Sequence, residues 1–346
     1  MSLFRLFRLG FYAFFLLACG IGYYVYIQTI TQPLNNREHQ LVIPKGVGIS
    51  WLANHLEKND VIDNKYVFRA YTWMNKRNLS IKAGEYTLVD IDNIPDLVAK
   101  VERGDVINYV VTFIEGKTFK EYLAQLAKNK ILKKELTDMN SAQIMRAVGS
   151  PGLNPEGQFA PQTYLYQKGD SDLDVLKQAH AGLKQTVESA WESRSDDVEV
   201  KSPYELLILA SIIEKETGAA QERPTISGVF NNRLRIGMKL QTDPTVIYGM
   251  GDKYKGNIRR KDLTTDTVYN TYTRFGLPPT PIAMAGAASI EAAANPETTK
   301  SLYFVGKGDG THYFSKNLKE HNNAVIKYQL GGKPRAFSSN PKPSSE

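Results

Sequence analysis

The stretch 202–218, SPYELLILASIIEKETG, places the tightest constraint on the fold. Leu206, Leu207, Ile208, Leu209, Ala210, Ile212 and Ile213 make it apolar nearly all round, so as a helix it must be enclosed by other elements rather than lie on a surface. Ser202, Pro203 and Glu205 form a capping box with proline at the first helical position. Gly218 is placed to take the left-handed conformation that ends a helix. The last turn nevertheless holds Glu214 and Glu216. A carboxylate at the end of an enclosed helix loses hydration, which raises its pKa. An acid still protonated near neutral pH is what general acid catalysis needs. The competing expectation is that such glutamates point into water, and the C-terminal end of a helix disfavours an anion. The sequence that follows has to decide.

A second constraint lies at the N-terminus. Residues 9–27, LGFYAFFLLACGIGYYVYI, carry no charge, and at the helical rise they cross a bilayer core. Arg5 and Arg8 precede this run and the first charge after it is Arg37, so the positive-inside rule puts residues 1–8 in the cytoplasm and the rest of the chain outside. Tyr23, Tyr24 and Tyr26 would form the outer aromatic belt. Leu16-Leu17-Ala18-Cys19 resembles a lipoprotein cleavage box, but the apolar run continues through Ile27, where a cleaved signal would be followed by a polar start. The expectation is a retained single-pass membrane helix followed by a polar linker, 28–39.

A chain of 346 residues has room for two or three domains. A net charge of +7 suits an anionic partner such as a membrane surface or an acidic polymer. The charges are dispersed and no zinc-finger, Walker or RNA-binding signature is present, which speaks against nucleic acid. Cys19 is the only cysteine, which excludes an internal disulfide and a cysteine-based metal cluster. His39, His55, His180, His312 and His321 are scattered without HExxH spacing and read as structural or surface residues, so no metal and no cofactor is expected.

The patterning is that of an α+β protein. A module over 40–110 reads as strand 40–43, helices 49–58 and 66–75, strand 83–88 and helix 94–103. The unit strand, glycine turn, helix, hydrophobic exit then partly recurs: IPKGVGISWLANHLEKNDVI at 43–62 is echoed by FIEGKTFKEYLAQLAKNKIL at 113–132, with Gly46 matching Gly116. Residues 157–166 are an aromatic-rich loop or strand, and 171–194 a long helix. After the 202–218 helix come a helix over 223–234, an extended segment 238–241, and a short helix opened by Asp243 as cap with Pro244 first. Residues 269–273, YNTYT, read as extended, and 276–282, GLPPTPI, as a proline-stiffened loop. An alanine-rich helix spans 283–294, a hairpin 301–315 and a last helix 317–328. The tail 331–346, rich in proline and serine, reads as disordered.

Glu214 and Glu216 lie two apart on a helix and point to different sides, so they are a poor hydrolase pair. Leu206, Leu209 and Ile213 continue at helical spacing onto Glu216, whereas Glu214 follows the less apolar Leu207, Ala210 and Ser211. A single carboxylic acid suits a reaction without an external nucleophile. It protonates a glycosidic oxygen and then, as a base, takes a proton from a hydroxyl of the same sugar. In muramic acid that closes a 1,6-anhydro ring.

The motifs ASIIEKETG, VFNNRLRIGMKLQTDPTVIYG, YNTYTRFGLPPTPI and LYFVGKGDGTHYFSKNLKEHN resemble the YceG-like family of endolytic murein transglycosylases, densely over 203–328 and more weakly over 40–200. The resemblance implies a single-pass inner-membrane lyase with a cytoplasmic N-terminus, a small LysM-like α+β module over 40–110, and a larger periplasmic α+β catalytic domain over 111–330. It implies endolytic cleavage of the MurNAc–GlcNAc bond of nascent peptidoglycan strands to 1,6-anhydro-N-acetylmuramic ends, limiting strand elongation beside the peptidoglycan synthases. It further implies Glu216 as the catalytic acid, and Gln241, Asp243, Asn270 and Tyr272, together with Glu214, as residues that meet the substrate. Two positions depart from the family pattern: Gln162 in Pro161-Gln162-Thr163-Tyr164, where an acidic residue is common, and Thr280, where glycine is frequent. The alternatives are a non-catalytic peptidoglycan-binding scaffold and a hydrolase that leaves reducing ends.

Overall fold

The structure is a computed structural model that describes residues 3–75 and 80–333. It is a mixed α+β fold with one N-terminal apolar helix, and it divides into two compact units. One unit runs from the N-terminus to Tyr109 and adds Leu165–Asp170; the other comprises Val110–Tyr164 and everything from Ser171 onward. Most of the 331–346 tail lies outside the described residues.

The first unit opens with helix α1 (Leu3–Thr31), whose part from Phe7 to Thr31 is long and apolar enough to cross a membrane. Its phenylalanine, leucine and tyrosine side chains from Phe7 to Tyr24 are exposed, an arrangement compatible with a single-pass anchor. The helix outlasts the 9–27 run because its far end joins a protein core: Ile30, and Leu34 beyond it, are buried there. Strand β1 (Gln40–Ile43) pairs antiparallel with β2 (Gly84–Thr87), Gln40 opposite Thr87 and Ile43 opposite Gly84. Helices α2 (Ile49–Lys58), α3 (Lys65–Met74) and α4 (Ile94–Arg103) complete the unit, and Leu41, Leu52, Leu56, Phe68, Tyr86 and Leu97 fill its core. Glu85, fully buried in β2, accepts from the Tyr109 hydroxyl at 2.6 Å and the Lys168 ammonium at 2.7 Å, which ties the short 165–170 segment to this unit.

Strand β3 (Tyr109–Thr112) pairs with β4 (Thr163–Tyr166), and α5 (Phe119–Lys128), α6 (Ser141–Ala147) and α7 (Asp172–Glu192) belong to the second unit. The repeated pattern has a structural counterpart: Gly46 and Gly116 both take left-handed backbone, at φ 83° and 72°, in the turn before α2 and before α5. Helix α8 (Pro203–Glu216) is the centre of this unit. Residues Leu206 to Ile213 are all buried, and α8 is packed by α7, by α9 (Arg223–Arg235), by α10 (Asp243–Met250) and by α12 (Ala287–Ala294). Ser211, the one hydroxyl in that run, donates to Ile208 O and accepts from Ile282 N at 3.0 Å, so even the polar atom of the buried face is satisfied. A short helix α11 (Arg260–Thr264), the hairpin β5 (Tyr303–Gly306) and β6 (His312–Ser315), and α13 (Leu318–Tyr328) close the unit.

Several local expectations need correction. Ser202 does cap α8 through Glu205 N, but the Glu205 carboxylate returns to Lys201 N rather than to Ser202, so the box is half formed. Gly218 is not left-handed. Helix α8 ends because Thr217 is extended (φ −141°, ψ 137°), and its hydroxyl accepts from Ala219 N in a local turn. The cap of α10 is Thr242, and Asp243 is already helical. Residues 269–273 are not extended: Asn270 N donates to Thr267 O, and Thr273 N and Arg274 N both donate to Asn270 O, which coils the segment into turns. The 283–294 helix starts only at Ala287, because Met284 N and O are taken by Lys117 O and Gly116 N across from it.

Candidate active site

The two glutamates of α8 diverge as their spacing requires. Glu214 turns toward α12, where its carboxylate accepts from Gly286 N at 3.0 Å and the Ser289 hydroxyl at 2.7 Å, the N-terminal end of a helix that favours an anion. Arg223 approaches its other oxygen at 4.0 Å. With a side chain only 7% exposed, Glu214 joins two helices.

Glu216 points the other way and is partly buried. Its Oε1 accepts a short hydrogen bond from the Thr242 hydroxyl. Thr242 is itself fixed in a network of buried threonines: its N–H donates to Thr271 Oγ1 at 3.1 Å, its carbonyl accepts from Thr245 Oγ1 at 2.8 Å, and Thr245 Oγ1 lies 2.9 Å from Thr271 Oγ1. These bonds fix the backbone of the residue whose hydroxyl donates to Glu216.

Burial pushes the Glu216 carboxyl up to about 7, and the nearby Asp243 adds to that, while the Thr242 bond and the charges of His312 and Arg233 pull it back. Arg233 is buried under the site. Its Nε donates to Leu302 O and its Nη1 to Leu240 O, both at 2.6 Å, so it ties the segment before Thr242 to the start of the hairpin. His312, at the head of β6, is held on Glu222. Neither residue stands out in the sequence. Arg233 looks like any cation in the last turn of a helix, and the partners Glu222 and His312 are too far apart in the chain for spacing to relate them.

The other anticipated residues fall into two groups. Gln241 and Asp243 are exposed on either side of the buried Thr242. Gln241 holds a left-handed backbone, φ 48°, which is uncommon without glycine. Asp243 accepts from the Tyr272 hydroxyl at 2.6 Å, so these two form one clasp, and burial with the Asp243 charge raises the Tyr272 phenol. Asn270 is different: its amide donates to the carbonyls of Asp262, Leu263 and Thr265, its oxygen accepts from Tyr272 N, and it is 1% exposed. Asn270 shapes the loop that carries Tyr272. Of the departures from the family pattern, Thr280 is satisfied by the Tyr269 hydroxyl at 3.0 Å and by Pro281 O at 2.8 Å. No group of histidine, cysteine, aspartate and glutamate suited to a metal occurs among the described residues.

One protonatable carboxyl, a hydroxyl donor on one oxygen, exposed amide and carboxylate groups and a half-buried phenol make an arrangement suited to moving a proton. Comparisons with known proteins bear on the reaction it would serve. The profile of the YceG-like family matches residues 41–327. The chain is 35% identical over 331 residues to a protein of Bacillus subtilis (strain 168) named endolytic murein transglycosylase, covering 89% of this chain and 90% of that one. It is 26% identical to the endolytic murein transglycosylase of Streptococcus pneumoniae serotype 2, covering 94% of this chain and 65% of the longer relative. The crystal structure of a yceG-like protein from Listeria monocytogenes superposes with a TM-score of 0.51 at 32% identity, over 82% of this chain and 98% of that one.

Proposed function

The chain belongs to the YceG-like family, and on that premise we propose that it is an endolytic murein transglycosylase in which Glu216 serves as acid and then as base. The observation that carries the reading is the environment of Glu216: partly buried, pushed up to about 7, and bonded on one oxygen by the hydroxyl of a residue whose backbone is fixed. Near neutral pH such a group is available in both protonation states. In the first step it passes its proton to the glycosidic oxygen as the C1–O bond of N-acetylmuramic acid breaks. In the second, the carboxylate takes the proton of the C6 hydroxyl as O6 bonds to C1. The ring closes to the 1,6-anhydro form, water is not consumed, and Glu216 ends as it began.

The Thr242 bond and the Arg233 charge favour the carboxylate that forms between the steps, while burial and Asp243 favour the acid that starts the first. Asp243, Tyr272 and Gln241 are the substrate contacts in this reading, and Asn270 and Glu214 hold the elements that carry the site. Residues 40–110 act as a LysM-like module, α1 anchors the chain in the inner membrane with its N-terminus in the cytoplasm, and the catalytic domain works on the periplasmic side beside peptidoglycan synthases. Mass spectrometry of the products from uncrosslinked glycan strands tests the chemistry. Ends lighter by one water than reducing muramic ends are expected; reducing ends would show a hydrolase, and no cleavage a binding protein.

A further inference from the structure

Helix α3 has two unlike faces. Phe68, Tyr71 and Thr72 are buried, and Phe68 and Tyr71 belong to the core of the first unit. On the opposite face Tyr66, Arg69 and Trp73 follow one another at helical spacing and form a single exposed stripe. Tyr66 is 66% exposed and Trp73 81%, and the exposed Met74 lies beside the stripe. Two large aromatic rings left open on one stripe mark a surface that meets a partner.

The place of α3 in the fold indicates which partner. Helix α3 packs against α1. Tyr26 and Ile27 of α1 are partly buried against the core that holds Phe68 and Tyr71, and Ile30 lies inside it. Just before them Tyr23 and Tyr24 are exposed, and from there the apolar side chains of α1 stay exposed back to Phe7. The contact is therefore with the end of α1 that leaves the apolar span. From Tyr24 to Ile30 the helix rises only about 9 Å, less than the ~10–12 Å diameter of one helix with its side chains. The headgroup zone on each side of a bilayer core is itself about 5–8 Å deep. Helix α3 thus lies within about one helix diameter of that zone. Tryptophan and tyrosine favour this depth, where the ring meets the acyl boundary and the N–H or O–H meets the headgroups, and an arginine between them suits anionic phosphates.

We propose that the Tyr66–Arg69–Trp73 stripe of α3 is a membrane-contact surface, seated in the anionic headgroup layer of the bilayer that α1 crosses. It holds the first unit against the bilayer instead of leaving it to swing on α1. The proposal rests on the reading of α1 as a membrane anchor. An aromatic stripe also suits a glycan strand, but the adjoining apolar length of α1 favours lipid.

The test uses the full-length protein in nanodiscs of phosphatidylglycerol and phosphatidylcholine, with and without bromine on the acyl chains next to the headgroups. The emission lost in Trp73→Phe in unbrominated discs defines the signal of Trp73, one of three tryptophans. That signal is expected to fall at least about twofold in brominated discs. Arg69→Glu sets a negative charge against the anionic headgroups and should restore at least about half of the lost signal. Cys19, inside the apolar run of α1, reports on the anchor separately, since a water-soluble maleimide does not reach it when α1 spans the disc. With Cys19 protected, a Trp73 signal that bromine leaves unchanged overturns the proposal, and so does one that responds to added glycan strands instead of bromine. Quenching undiminished in Arg69→Glu overturns the assignment to an anionic layer. A Cys19 that reacts overturns the anchor reading, and the contact surface with it.

Discussion

The Thr242 hydroxyl donates to the Glu216 carboxylate across the junction between helices α8 and α10. Residues 26 apart in the chain are thereby joined at the carboxyl proposed as the acid–base group. Thr242 caps α10 by position, yet its side chain makes no cap bond and is committed to Glu216 instead. The hydroxyl is withdrawn from its ordinary local use as a helix cap and given to a carboxyl.

Two substitutions at this junction should shift the pH profile in opposite directions. The Thr242 bond lowers the Glu216 carboxyl, so Thr242→Val raises it and moves the basic limb of activity up. Asp243 raises that carboxyl, so Asp243→Asn moves the limb down. Shifts of about half a pH unit each are expected, measured as kcat against pH on glycan strands. Shifts of the same sign would show that the profile reports some other group.

Tyr272→Phe removes the hydroxyl that binds Asp243 Oδ1 and leaves the ring. The loop keeps its shape through Asn270, so folding should be unaffected within about 0.5 kcal/mol. Substrate placement should suffer, with kcat/KM down by about tenfold. Parallel activity and thermal unfolding measurements separate the two effects.

The folded state should carry a proton that the unfolded chain does not. Glu156 is buried, accepts from Phe119 N at 3.0 Å and the Tyr248 hydroxyl at 3.2 Å, and burial pushes its carboxyl from 4.5 up to about 7. Between those values the unfolded chain is ionised there and the folded chain is not, so stability falls as pH rises and levels off above about 7. Glu216 contributes in the same sense. The penalty from Glu156 reaches about 3 kcal/mol at most. Denaturant unfolding as a function of pH should therefore show a shallower fall in Glu156→Gln than in the wild type, and equal slopes would contradict the account.

Much of this is legible in the sequence. The enclosed helix, its start at Ser202–Pro203 and the divergence of Glu214 from Glu216 follow from periodicity alone, because a helix apolar on every side has only its ends for chemistry. The ends and loops were harder. Thr217, rather than Gly218, stops α8 through a hydroxyl bond to Ala219, a choice between two local mechanisms that sequence leaves open. Asn270 and Glu214 look like substrate ligands in the sequence and turn inward in the structure, since a polar residue beside a site is indistinguishable from one that builds it until its partners are known. Arg233, Glu222 and His312 gave no signal because their partners are brought to them only by the packing of α9 and the hairpin.

That difference at the helix end has a stability consequence. A side chain at Gly218 would meet nothing within 4 Å and no left-handed backbone, so Gly218→Ala should change stability by less than about 0.5 kcal/mol. Gly228 in α9 is the opposite case. A methyl group there would lie 2.4 Å from Glu297 O and 2.9 Å from Thr299 Cγ2, so Gly228→Ala should destabilise by about 1–3 kcal/mol. Paired thermal unfolding of the two variants checks the ranking.

In the proposed mechanism one carboxyl does the work of both acid and base, and replacing that carboxyl tests it. Glu216→Gln keeps the shape and the Thr242 contact but has no proton to give. Incubated with uncrosslinked glycan strands and analysed by mass spectrometry, wild type should release fragments with 1,6-anhydro-muramic ends and Glu216→Gln should release them more slowly by on the order of a hundredfold or more. Equal yields of the same anhydro products from both proteins would contradict it.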